Sequence, residues 1–237
     1  MLASHLSSTS GITFKQAHPQ KVLAIGDSLV YGFGDSEGGG WVERLRRLSM
    51  EPGRPGAVFY NLGVRGDGVG QVKQRLEHEF RYRGELRNRL PDLVVLSAGV
   101  NDSARVSNPL GRNRTNFDEF EQQIEELLAE ARQLCPVLFI GMPPVNEQAM
   151  PFSEVLYYTH SDQWRYREAT RLACSSHNIP YLDVLNLWLG RGTSWWLPLI
   201  SPDGLHPNVA GYRALLDDIV AWDAFQTAVD IPPGCGS

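Results

Sequence analysis

Short apolar runs alternate along the chain with longer stretches in which apolar residues recur every three or four positions. The runs at 22–25, 57–61, 93–98, 137–141 and 180–184 predict buried strands, because each is brief and flanked by turn formers or polar residues. Between them, helical spacing predicts helices over 41–49, 69–86, 117–134 and 162–177, with a last one over 208–221. The third is the plainest: Phe117, Phe120, Ile124, Leu127, Leu128 and Ala131 fall on one face. This alternation predicts an α/β domain with a mostly parallel five-stranded sheet covered by helices on both faces. No repeat or linker interrupts the pattern. Residues 21–229 therefore read as one domain, 1–20 as a loose arm and 230–237 as a loose tail.

Composition narrows the function classes. With 237 residues, 42% of them hydrophobic, the chain can bury a sizeable core. A net charge of −5 argues against a nucleic-acid binder, which shows a basic face. The three cysteines, Cys135, Cys174 and Cys235, are too scattered for a disulfide framework or a Cys-x-x-Cys metal site. The first twenty residues lack the charged start and apolar run of a secretory signal, and nothing approaches the roughly 20 apolar residues of a membrane span. The expectation is a cytoplasmic protein with no nucleic-acid partner, no stable membrane insertion and no metal.

Candidate chemistry begins at Ser28, which directly follows the first strand in VLAIGDSLVYGFGD. The carboxyl ends of strands in open α/β sheets are where ligands collect. A serine there reads as a helix N-cap, as part of a phosphate-cradling glycine loop, or as a nucleophile exposed at the sheet edge. The phosphate loop needs Gly-Lys-Ser/Thr, and a dinucleotide site needs Gly-x-Gly-x-x-Gly. Neither spacing occurs. The Gly-x-Ser-x-Gly elbow of α/β-hydrolases fails at Val30.

A serine nucleophile needs a base, and histidine titrates in a suitable range. Of six histidines, His5 and His18 fall in the arm, His78 in a charged helix, His160 in a loop and His177 at a helix end. His206 differs. It lies in SPDGLHPN, with Asp203 three residues earlier, Gly204 allowing a bend, and Pro207 placed to begin a helix. An acid so placed can orient the ring from its far nitrogen; a turn that merely caps the last helix is the competing reading. Donors for a developing oxyanion are offered by the glycines of NLGVRGDG, Asn61–Gly68, after the second strand, and by Asn101, in SAGVND after the third.

The four blocks Gly26–Leu29 (GDSL), Arg65–Gly68 (RGDG), Gly99–Asp102 (GVND) and Asp203–Pro207 (DGLHP) together resemble those of the SGNH, or GDSL-type, serine hydrolases. The resemblance spans residues 22 to about 222. It implies a flavodoxin-like three-layer α/β/α sandwich. It implies Ser28 as nucleophile, His206 as base, Asp203 as its orienting acid, and Ser28 N–H, Gly66 N–H and Asn101 as the oxyanion hole. The activity it implies is a serine esterase that needs no cofactor, takes a small-molecule ester as its partner and works through an acyl-enzyme on short-chain or small soluble esters. Lysophospholipase, thioesterase or acyltransferase chemistry on the same site stays open, as does a non-catalytic binding module that retains the fold.

Other residues carry weaker expectations. Segments 103–116 and 142–160 read as long loops on the face that carries Ser28. Arg105, Arg112 and Arg114 suit an anionic group or a solvated loop. Trp195, Trp196, Leu197 and Leu199 suit core packing or an acyl pocket. His160 and Asp162 read as loop residues without the further ligands of a metal site.

Overall fold

The computed structural model describes residues 19–50, 56–83 and 89–229. From β1 (Lys21–Gly26) the chain passes through α1 (Ser28–Tyr31) and α2 (Gly40–Ser49) to β2 (Val58–Gly63), then through α3 (Val69–Tyr82) to β3 (Leu93–Ser97). Next come α4 (Val100–Ser103), β4 (Arg105–Val106), α5 (Phe117–Leu134) and β5 (Val137–Ile140). After β6 (Leu156–Tyr157), α6 (His160–Ser176) and β7 (Tyr181–Leu182), the helices α7 (Val184–Gly190), α8 (Thr193–Trp196), α9 (Val209–Ala221) and α10 (Asp223–Ala228) follow.

Every pairing in the main sheet is parallel, in the order β2-β1-β3-β5-β7. The fold is therefore the flavodoxin-like α/β/α sandwich. Alternate side chains of each strand enter opposite cores. Leu23 and Ile25 pack with α3, α5 and α6, whereas Val22 and Ala24 pack with α2, α9 and α10. Burial on both faces is why the strands read as unbroken apolar runs. The order also locates the site. The chain leaves β1 for β2 on one side and reaches β3 on the other, which opens a crevice at the carboxyl end of β1.

All five expected strands and all five expected helices are present; α5 has the expected ends and the others are shifted. The helix expected from 162 starts at His160, because the Thr159 hydroxyl accepts a 3.1 Å bond from Asp162 N–H and caps it. His160 and Asp162 are thus helical, not loop, residues. The helix expected to 86 ends at Tyr82, and 84–88 lie outside the described residues. Pro207 does not begin α9: Asn208 caps it, accepting from Gly211 N–H. The helices α1, α4, α7, α8 and α10 were not legible, being too short to show a period. The arm at 1–18 and the tail at 230–237 lie outside the described residues. Segments 103–116 and 142–160 are tied together by the antiparallel pair β4–β6. Among the described residues, no helix is long and apolar enough to cross a membrane.

Candidate active site

Ser28 is the first residue of α1, and the cap is Asp27, whose Oδ1 accepts from Leu29 N–H at 2.8 Å. The first N–H groups of a helix have no partner within it, so the Ser28 N–H points out of the helix end. Contrary to an exposed placement at the sheet edge, Ser28 is only 3% accessible and His206 only 2%.

The His206 turn is built by Asp203. Its Oδ1 accepts from Leu205 N–H at 2.9 Å and from His206 N–H at 3.0 Å, while Oδ2 lies 2.7 Å from His206 Nδ1. Burial raises the Asp203 pKa, but the ring and backbone N–H bonds outweigh it and hold the carboxyl below its ordinary value. An ionised carboxylate only accepts, so Nδ1 carries the ring proton and Nε2 is left as acceptor. Ser28 Oγ sits 2.8 Å from that nitrogen and donates to it. The His206 ring is flanked edge-on by Phe33, at 4.7 Å between centroids, and by Phe152, at 5.7 Å.

Gly66 lies opposite, in the turn after β2. Its φ of +84° favours glycine, and a Cβ built there would meet nothing within 4 Å. Among the described residues its N–H meets no acceptor. Arg75 of α3 fixes this turn, donating to Gly26 O (2.8 Å), Leu62 O (2.9 Å) and the Asp67 carboxylate (2.8 Å). Asn101 closes the crevice from α4. Its Nδ2 donates to Asp67 O at 2.9 Å and makes a longer contact, 3.4 Å, with Asp27 Oδ2. Tyr158 O–H donates to Asn101 Oδ1 at 3.3 Å and so fixes which end of the amide faces the turn. Asp102 joins the second and third blocks by accepting from Val69 N–H at 3.0 Å and from the Thr115 hydroxyl at 2.7 Å. A Cβ at Gly68 would lie 2.6 Å from that carboxylate, so only glycine permits the approach.

Two buried carboxyls give the crevice its electrostatic character. Burial pushes Asp27 up to about 7 against the pull of the Leu29 N–H, with the charges of Asp102 and Asp67 adding to the rise. Burial raises Asp102 as well, against its Thr115 and Val69 hydrogen bonds.

The structure thus brings Ser28, Asp203 and His206 into one hydrogen-bonded line. Asn101 contacts Asp27, the residue before Ser28, and donates to Asp67, the residue after Gly66. It does not bring Arg105 there: the guanidinium is committed to Asp162 at 2.6 and 2.8 Å. Arg112 and Arg114 are exposed beside a separate cavity of about 420 Å³. Trp196 packs in the core, and the more open Trp195 stands edge-on to Trp188, so neither walls the site. Sequence reasoning missed Phe33, Phe152, Tyr158 and Arg75. The three aromatics lie in irregular stretches, and Arg75 looks like any charged helical position. Among the described residues, no three His, Cys, Asp or Glu side chains are grouped to hold a metal.

Fold and site together define a class: a flavodoxin-like α/β protein with serine, histidine and aspartate hydrogen-bonded in series at the switch crevice of its sheet. The chain belongs to the GDSL-like lipase/acylhydrolase family, whose model matches residues 24–214. Its fold is similar to that of a lipase/acylhydrolase from Enterococcus faecalis (TM-score 0.67, 20% identity, covering 91% of this chain and 100% of that one). It is also similar to an acetylxylan esterase from Geobacillus stearothermophilus (0.64, 19%, covering 86% and 93%). A third similar structure is an alpha/beta hydrolase from the metagenome of Lake Arreo, Spain (0.63, 20%, covering 86% and 95%). No curated protein matches the chain significantly.

Proposed function

We propose that the protein is a serine esterase that hydrolyses carboxylic esters of small soluble substrates through an acyl-enzyme. The observation that carries this reading is the series Ser28 Oγ–His206 Nε2–Asp203, at 2.8 and 2.7 Å. A binding module has no need of a buried hydroxyl aligned on an imidazole whose far nitrogen is held by a carboxylate.

In this reading Ser28 Oγ attacks the ester carbonyl carbon as its proton passes to His206 Nε2. The imidazolium is stabilised by Asp203. Negative charge gathers on the carbonyl oxygen, which takes hydrogen bonds from Ser28 N–H, Gly66 N–H and the Asn101 amide. The Asn101 hydrogen held only by the long contact to Asp27 is the one that serves it. Collapse breaks the ester C–O bond, and the alcohol leaves with the proton from His206. Water then repeats the sequence on the acyl-Ser28 ester, with His206 taking its proton, and releases the acid.

Rapid-mixing kinetics with p-nitrophenyl acetate test the reading. A stoichiometric burst of nitrophenolate, or steady turnover, that vanishes in Ser28→Ala is expected. Turnover by a folded Ser28→Ala protein would remove Ser28 from the role.

A further inference from the structure

A second space opens beside the reacting groups. A cavity of about 640 Å³ is lined by Tyr31, Phe33, Asp35, Ser36, Glu43 and Asn61 together with Gly32, Gly34, Gly39 and Gly63, a volume suited to a small molecule. Phe33 is the wall it shares with the site: the same ring stands edge-on to His206 at 4.7 Å. This inference rests on the esterase reading, and that reading fixes what the cavity receives. His206 Nε2 hands its proton to the departing alcohol, so the alcohol lies on the histidine side, where Phe33 is one of the two rings flanking the imidazole and the one that also walls the cavity.

The lining tells which alcohol. Tyr31 is 52% exposed, a large ring left unburied at the cavity wall. Asn61 Oδ1 is taken by Gly63 N–H at 3.1 Å, which leaves the amide N–H groups as donors. Glu43 Oε2 accepts from Arg46 at 2.7 Å, which leaves Oε1 as an acceptor. Asp35 offers little, since its oxygens already accept from Arg44, Gly38 N–H and Gly40 N–H. The lining contains two carboxyls and no cation; Arg65 stands outside it, with its guanidinium 3.7 Å over the Phe33 ring. Both carboxyls are already paired with arginines, Asp35 with Arg44 and Glu43 with Arg46, so the lining itself offers an anion no cation, and a purely apolar alcohol would leave the free donor and acceptor unpaired. Aromatic rings combined with a spare donor and a spare acceptor match a ring that has C–H faces and hydroxyl edges.

We infer that this cavity is the leaving-group subsite for a neutral polyhydroxyl alcohol of sugar type, with Tyr31 and Glu43 as specificity-determining residues. Neither side chain touches the reacting groups.

Three acetates with the same acyl group test it: p-nitrophenyl acetate, a monoacetate of methyl β-glucopyranoside, and cyclohexyl acetate as the ring without hydroxyls. The intact protein is expected to favour the sugar acetate over cyclohexyl acetate by at least about tenfold in kcat/KM, since hydroxyl-matched sites reject analogues lacking the group. Glu43→Met is expected to cut the preference for the sugar acetate over cyclohexyl acetate by at least about fivefold, and Tyr31→Ala to lower kcat/KM for the sugar acetate about tenfold, with a smaller loss on the other two, whose leaving groups lie against the same ring. Equal or better use of cyclohexyl acetate overturns the inference. So does an equal loss on all three substrates in both variants, or no loss on any. Absence of p-nitrophenyl acetate turnover in the unmutated protein is a different failure, because it removes the esterase reading itself.

Discussion

Ser28 Oγ and His206 Nε2 meet at 2.8 Å although 178 positions separate them along the chain. The turn that delivers the histidine is held by Asp203 through three hydrogen bonds, two to backbone N–H groups and one to the ring. Loss of the ring removes the proton acceptor, whereas loss of the carboxylate leaves an acceptor that is less well oriented. His206→Ala is therefore expected to lower kcat on p-nitrophenyl acetate by about 10⁴-fold or more, and Asp203→Ala by less. Steady-state kinetics on both variants check this; a His206→Ala protein within tenfold of the parent would contradict it.

Asn101 and Tyr158 make a second, separable prediction. If the amide donates to the developing oxyanion, Asn101→Ala lowers kcat by about 10²–10³ with KM little changed. Tyr158→Phe keeps the ring but deletes the hydroxyl that orients the amide. Its expected signature is a smaller fall, about tenfold, again in kcat. An effect confined to KM in both variants would make Asn101 a binding or packing residue.

Much of this is legible in the sequence alone, for reasons that particular residues show. β1 is buried on both faces, so its apolar run stands out, and the glycine-rich turns beside it announce the crevice. Asp203 and His206 are three residues apart, a separation local chemistry can interpret. Tyr158 is different: nothing local marks a tyrosine in a long irregular segment as the partner of an asparagine 57 positions away. The burial of Ser28 was hidden likewise, since polar-looking loops turn Phe33 and Phe152 inward against His206. Arg105 misled because its partner Asp162 lies far along the chain, at the start of α6.

Asp27 yields a prediction about stability. Its native pKa, about 7, stands above the ordinary value of 3.8. Between those values the native state holds a proton that the unfolded chain has lost, so this residue's contribution to stability falls as pH rises through that window. Asp27→Asn removes the ionisation. The melting temperature of the variant relative to the parent is expected to climb from about pH 4 to about pH 7 and then level off. Each kcal/mol of relieved penalty is worth about 2–4 °C. A difference that is constant with pH would contradict the assignment.

Acyl length is the fourth prediction. Each further buried CH₂ adds about 0.8 kcal/mol where a deep apolar groove receives it. Trp195 and Trp196 do not form such a groove, because they pack against the core and Trp188. Along p-nitrophenyl esters kept below their micelle-forming concentrations, kcat/KM is expected to peak at about two to four carbons. A maximum at eight carbons or beyond would contradict this.

The central claim is that Ser28 is a nucleophile activated by His206, and covalent trapping tests it most directly. The intact protein is treated with a fluorophosphonate probe and the modified peptide is mapped by mass spectrometry. The account predicts one adduct per chain, on Ser28, formed far more slowly in His206→Ala and absent in Ser28→Ala. Labelling at another residue, or an unmodified Ser28 in folded protein, would contradict it.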